Sequence, residues 1–363
     1  MNLSHTPRGS TLAEPALTDL PDLPARLRLA PGRPIVWRSP HSLQLGLDPH
    51  RAMVLDDLSD PLAALLRQMD GVRSTAELLA EAQRAGASPG EAVRMLTELH
   101  QAGLVQEAAA PERGPACWHR TALATEATGW SVHTTCAPHE VLRRRHSAAV
   151  RVIGSGRVAV ALVTALAAAG VGQLTVAAEG TVTVGDLGTG YRPDDLGRPR
   201  AAAALDVVRR AAPQAQLHEW HAPDLVVLTD VLVPDPDLVT DLVAARVPHL
   251  IAYSVEGTVA VGPLVWPGRS SCLRCADLHR ADLDLAWPKL AAQLVGQIPP
   301  AGVAVTLLTA ALAAEQVLAA LAGPDVGLPR PPTWGTTLEL DPVRGRLRRH
   351  PRPAHPRCGC GAG

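Results

Sequence analysis

The 363 residues suffice for two domains, and 47% hydrophobic with 19% charged residues is the balance of a globular chain, not a disordered one. A net charge of −1 and a pI near 6.9 exclude strong non-specific attraction to nucleic acid or to anionic membrane. Aromatic residues make up only 2% and Phe is absent, so the core must be built from Leu, Val and Ala; Lys289, the single lysine, is the only candidate for any lysine-dependent step.

Residues 1–33, rich in Pro, Leu and small polar groups, have no stable period and read as a loose arm without the apolar run of a secretory signal. A second segment, residues 34–108, opens with near-alternating Val36, Trp37, Leu43, Leu45 and Leu47 and with Met53–Leu55, which predict short strands. Three helices follow: Pro61–Met69 with Asp60 as N-cap, Thr75–Ala85 with Ser74, and Pro89–Ala102 with Ser88. Gly103-Leu104-Val105 then reads as a helix stop entering a strand. Short strands with three helices make a winged-helix-like α+β domain. Its third helix carries Glu91, Arg94, Glu98 and His100 and no basic stripe, which disfavours DNA.

This segment resembles the PqqD-like elements that recognise leader peptides. The resemblance rests on Trp37, Leu45-Gly46-Leu47-Asp48, Met69-Asp70-Gly71 and the ending Leu96-x-x-Leu99-x-x-x-Gly103-Leu104-Val105. It implies a peptide added as a strand at the sheet edge and resting on the third helix, with Leu45, Leu96 and Leu99 as its contacts. Residues 109–147, with Pro111, Gly114, Pro115, Gly129 and Pro138, read as a linker or peripheral segment, and Arg143-Arg144-Arg145 within it as a solvated face.

From residue 148 onward the pattern is that of a Rossmann-like α/β domain. Ala149–Ile153 is a short apolar strand, and Gly154-Ser155-Gly156-Arg157-Val158-Ala159 turns it into an Ala-rich helix ending at Gly170. In this G-x-G-x-x-A context Gly154 permits the tight turn, Gly156 lets a phosphate approach the backbone, and Ala159 keeps the helix near the sheet. The second strand, Leu174–Ala177, is followed by Glu179, the candidate for a ribose hydroxyl, one place late for the usual position. Ala301–Leu321 is long and apolar, but Ala dominates it and Glu315-Gln316 interrupt it; it reads as the core helix of a cytoplasmic protein with no membrane span.

Cys272-x-x-Cys275 and Cys358-x-Cys360 are two close pairs, the pattern of a structural Cys₄ site for Zn²⁺, which leaves no open coordination position for chemistry. His279, His350 and His355 read as solvated loop residues, Trp266 and Trp287-Pro288 as packing around the first pair, and Cys117 and Cys136 as ordinary thiols.

Val152–Gly172, Leu174-Thr175-Val176, Leu196-Gly197-Arg198-Pro199-Arg200, Asp224–Val227, Val247-Pro248 and Cys272–Cys275 resemble the ThiF/MoeB/HesA superfamily, relatives of the ubiquitin-activating enzymes. That family adenylates a C-terminal carboxylate with ATP and Mg²⁺, and its dimeric habit implies a homodimer. Much of its catalytic set is missing here. Its two acidic positions after the second strand fall on Ala178 and Gly180, its Asn and Arg near Asp186 and Thr189, its lysine on Arg200, and its later arginine near Asp235; Asp230 matches its magnesium-binding Asp one residue short. The domain order and the ending His355-Pro356-Arg357-Cys358-Gly359-Cys360 are similar to the degenerate leader-peptide-binding partners of YcaO enzymes in azole peptide biosynthesis. Two readings follow: a peptide-binding adaptor, or an adenylyltransferase using Gly154, Gly156, Arg198, Arg200 and Asp230.

Overall fold

Alternating Arg and Leu in Arg26–Leu29 (β1) place Leu27 in the core, where the strand pairs antiparallel with both Asp70–Ser74 (β5) and Val105–Glu107 (β6). The arm expected over residues 1–33 therefore contains the central strand of a sheet. The computed structural model describes residues 23–30, 32–49, 52–108, 118–130, 132–133, 138–213, 215–217, 222–323 and 329–362; Cys117 and Cys136 lie outside them. The chain divides into two compact units, residues 1–117 with 124–139, and residues 118–123 with 140–363.

The first unit also contains a meander of Ile35–Ser39 (β2), Ser42–Leu45 (β3) and Met53–Leu55 (β4). Its three helices are Asp60–Arg67 (α1), Thr75–Arg84 (α2) and Pro89–Gln101 (α3). The start of α2 is fixed by a capping box: Ser74 Oγ accepts from the Glu77 N–H at 3.2 Å, and Glu77 accepts from the Ser74 N–H at 2.8 Å. Ser59, not Asp60, caps α1; Asp60 lies in the first turn, where its charge suits the helix dipole. Leu45, Leu96 and Leu99 are 2%, 0% and 1% exposed. These three leucines build the unit's core, which corrects the expectation that a peptide would touch them.

Within the segment expected to be a linker or peripheral lie helices Trp118–Trp130 (α4) and Pro138–Ser147 (α5). Arg145 is 0% exposed and donates to the Ala169 carbonyl at 3.1 Å, at the C-terminal end of the following helix, so the arginine run is not simply a solvated face. Its neighbours Arg143 and Arg144 share Glu140, and their hydrogen bonds hold the Glu140 carboxyl down at about 2.

The second unit is built on a seven-stranded sheet. Ala149–Ile153 (β7), Gln173–Ala177 (β8), Leu225–Thr229 (β9) and His249–Val255 (β10) run parallel in the order β8-β7-β9-β10. Thr258–Val265 (β11), Thr336–Asp341 (β12) and Arg346–Pro351 (β13) extend it antiparallel. Every residue of β9 is buried, as a strand covered on both faces requires. Arg157–Ala168 (α6) packs against Val303–Ala322 (α11) and Arg200–Ala211 (α7); Pro236–Ala244 (α8) and Leu273–Leu283 (α9) supply residues to a separate apolar cluster with Val226, Leu228 and Ile251. Trp287–Leu294 (α10) buries none of its residues. Among the described residues α11 alone is long and apolar enough to cross a membrane; it packs on α6, β10 and β11.

Candidate functional site

The parallel strands reverse their direction of spread between β7 and β9, and in such sheets the crevice beyond the strand ends is the natural ligand site. The G-x-G turn after β7 and the Thr229-Asp230 step after β9 meet there. Asp230 turns its carboxyl into the start of α6. Its Oδ2 accepts from the N–H groups of Gly156 and Ala159 at 3.1 Å each, and its Oδ1 from Val158 at 2.9 Å. The Thr229 hydroxyl adds a fourth donor at 2.9 Å. Burial pushes the Asp230 carboxyl up from its ordinary value, and these donors pull the other way.

The glycines are explained by the same contact. A Cβ on Gly156 would stand 2.4 Å from Asp230 Oδ1, and one on Gly154 would stand 2.0 Å from Thr229 Oγ1. Both positions need glycine because β9's end crosses them, whether or not a phosphate is ever bound. Asp230 itself has φ +68°, a backbone conformation Asp tolerates better than most residues. Instead of standing ready as a metal ligand, its carboxyl fills the helix N-terminus that the sequence assigns to a phosphate.

The two arginines assigned to the adenylyltransferase reading are also engaged. Arg200 pairs with Asp186 at 2.8 Å and donates to the Glu179 carbonyl at 3.0 Å. Burial disfavours the Asp186 charge, but the Thr183 N–H and Arg200 outweigh it and hold its carboxyl below the usual range. Arg198 is shared by Asp195 at 2.7 Å and Asp206 at 2.6 Å. Tyr191, whose hydroxyl donates to the Arg200 carbonyl at 3.2 Å, is pushed up to about 12 by burial and the nearby Asp186. Glu179 is tied by its backbone, its N–H donating to Ser155 Oγ at 2.7 Å, while its side chain is exposed at the rim of a cavity. Asp235 caps α8.

Two cavities flank this crossing. One of about 350 Å³ is lined by Asp186, Asp230, Ser254 and Thr306; one of about 580 Å³ by Gly154, Ser155, Glu179, Thr229 and Asp235. Ile298 borders both. Ser155, Ser254, Thr229 and Thr306 were not legible as site residues, since single hydroxyls in apolar segments carry no spacing signal.

The four cysteines converge as their spacing predicts. All four sulfurs lie within 4.8 Å of one another, with separations of 3.8 Å (Cys272–Cys275), 3.6 Å (Cys272–Cys358) and 3.6 Å (Cys275–Cys360). A Zn²⁺ tetrahedron with bonds of about 2.3 Å has sulfur–sulfur edges of about 3.8 Å, so donor type and spacing both fit. A disulfide, at about 2 Å, does not fit. Cys272 caps α9 and Cys275 lies in its first turn, whereas Cys358 and Cys360 come from the tail, and all four pack against the apolar cluster of α8, β9 and β10.

His355 is buried, not solvated. Its Nε2–H donates to Asp282 at 2.8 Å, and its Nδ1 accepts from the Arg357 N–H at 3.1 Å. It supports the tail that carries Cys358 and is not one of the four clustered ligands. His279 packs edge-on against it, and His350 faces Glu339 at 3.3 Å. Trp266 stacks on Trp334, and Trp287 lies under Arg280 of α9, the helix that carries Cys275.

No curated protein matches the sequence at a significant level. Among solved structures, Escherichia coli MccB superposes with a TM-score of 0.70 at 14% identity, over 92% of this chain and 98% of that one. MccB in complex with N-formylated MccA, described as a microcin C7 biosynthetic enzyme, gives 0.69 at 13% identity, over 93% and 99%. PaaA gives 0.66 at 16% identity, over 88% and 98%. At these identities the likeness is one of fold. The ThiF family model matches residues 133–362, and the chain belongs to the ThiF family.

Proposed function

We propose that this protein is a catalytically depleted ThiF-family adaptor, which captures a precursor peptide with residues 34–108 and presents it to a partner modifying enzyme of the YcaO type in azole peptide biosynthesis. The observation that carries the reading is the Asp230 carboxyl seated on the Gly156, Val158 and Ala159 N–H groups. With Arg200 held by Asp186, neither the helix N-terminus nor that arginine is free for a triphosphate. Loss of such contacts costs several kcal/mol of nucleotide and transition-state stabilisation. That MccB has been crystallised with MccA supports peptide capture on this fold. Strand β4, at one edge of the described meander and with Met53 and Val54 exposed, offers an edge for strand addition, in place of the three buried leucines.

Several features accompany this reading. The cysteine site holds structural Zn²⁺, and reduced thiols suit the cytoplasm. The exposed apolar run of Leu283, Leu285, Leu290, Val295, Ile298 and Leu307 suits a homodimer, which sedimentation at micromolar concentration would reveal. Nucleic acid and membrane have no part in it.

A second reading, an ATP- and Mg²⁺-dependent adenylyltransferase, is favoured by the cavity of about 580 Å³ beside the G-x-G turn and by the crystallisation of MccB with ATP. The discriminating experiment pairs two measurements on the full chain. Titration with short peptides encoded beside the gene should give saturable binding, and ATP–pyrophosphate exchange with the same peptides should give none. Exchange above background would establish the second reading; no binding by any peptide would remove the first.

A further inference from the structure

A separate groove of about 760 Å³ lies at the opposite end of the parallel strands, where Ala148, Asp224 and Pro248 lead into β7, β9 and β10. Its rim carries Arg143 and Arg144 from α5, Arg246 after α8, and Trp266 after β11. Apolar Pro223, Val247 and Leu321 form its walls. All of these residues belong to the second unit.

Trp266 joins this groove to a stack on the adjoining surface. Its ring lies 5.6 Å from that of Trp334, at 23° between planes. Arg269 reaches over both rings at 6.0 and 5.8 Å, and Arg330 stands 5.0 Å from Trp334. Neither tryptophan is fully buried. Two of the chain's seven Trp thus stack beside guanidinium groups with part of each indole left exposed.

The charges are uneven. Arg143 and Arg144 share Glu140, and Asp224 accepts the Ala149 N–H at 2.8 Å. Arg246, Arg269 and Arg330 have no carboxylate partner among the described residues. Among the described residues, the five guanidinium groups named thus stand against two carboxylates, Glu140 and Asp224, in a molecule of net charge −1. Arginine held over an aromatic face keeps its planar fork available for a carboxylate, and Trp with Arg is the pairing enriched at the energetic centres of protein interfaces. Apolar walls and Asp224 in the lining suit peptide side chains better than a phosphate backbone, which needs an unbroken line of cations.

We propose that this Trp–Arg groove is a docking surface for an acidic segment of a partner protein, whose carboxylates meet Arg246, Arg269 and Arg330 while an apolar side chain rests against Trp266. The surface lies away from the G-x-G crossing and is independent of peptide capture by residues 34–108.

Fluorescence anisotropy on the full chain tests it with a labelled peptide of alternating Glu and Leu, a matching peptide of alternating Lys and Leu, and oligothymidylate. The Glu–Leu peptide should bind in a salt-dependent manner, and Arg246→Glu and Trp266→Ala should each weaken it about tenfold or more. Arg246 is exposed, so its variant keeps the test open if Trp266→Ala folds poorly. No binding of the Glu–Leu peptide, equal binding of the Lys–Leu peptide, tighter binding of oligothymidylate, or unchanged affinity in Arg246→Glu would each overturn the proposal.

Discussion

Gly156 lacks a side chain because the Asp230 carboxyl stands where a Cβ would be, 2.4 Å away. Gly156→Ala should therefore destabilise the protein by about 1–3 kcal/mol through overpacking. In an Asp230→Gly background, where φ +68° suits glycine, most of that cost should vanish, a coupling of about 1 kcal/mol or more in a denaturant double-mutant cycle. Additive effects would mean that the glycine serves something other than Asp230. His249 makes a second residue-scale prediction. It is buried, its Nδ1–H donates to the Val247 carbonyl at 2.9 Å, and burial holds its pKa below the ordinary 6.5. Below that value the unfolded chain takes up a proton that the folded one refuses. Stability should thus fall as pH drops from about 6.5 toward 5, by up to about 1.4 kcal/mol per unit. His249→Phe should flatten that slope in urea titrations, and an unchanged slope would show that other groups cause it.

At the scale of elements, the cysteine cluster ties the first turn of α9 to a tail more than eighty residues later, at Cys358 and Cys360. Plasma emission spectroscopy should find about one zinc per chain. Chelation or Cys358→Ser should lower Tm by about 5–10 °C, given about 2–4 °C per kcal/mol for a unit of this size. A metal-free protein with the same Tm after chelator treatment would contradict the assignment. This cluster was legible because two close cysteine pairs have few uses other than holding a metal. Helices α2 and α3 were legible through their caps and apolar spacing. Strand β1 was not, since four residues beside a Pro-rich stretch give too short a pattern, although Leu27 is central to the first unit's core. Helices α4 and α5 were hidden by the prolines and glycines around them and by an arginine run whose buried member, Arg145, caps another helix.

Across the whole molecule, the ThiF-type sheet was readable from strand, G-x-G-x-x-A turn and Ala-rich helix, because that order of elements has one common solution. What fills the site was not. The Asp230 contact spans 74 residues to Gly156, and the Arg200–Asp186 pair depends on how the segment after β8 folds back over α7's start, so neither leaves a local trace. The three leucines assigned to peptide contact illustrate the same limit, since an apolar residue on a helix face can point to a ligand or to a core. The cradle of this ThiF-family fold is closed by its own carboxyl. Calorimetric titration with Mg²⁺–ATP, comparing the unaltered chain with Asp230→Gly, checks this. The unaltered chain should show no saturable binding, and the variant should gain at least about tenfold in affinity. Tight binding by the unaltered chain, lost on removal of Asp230, would contradict it.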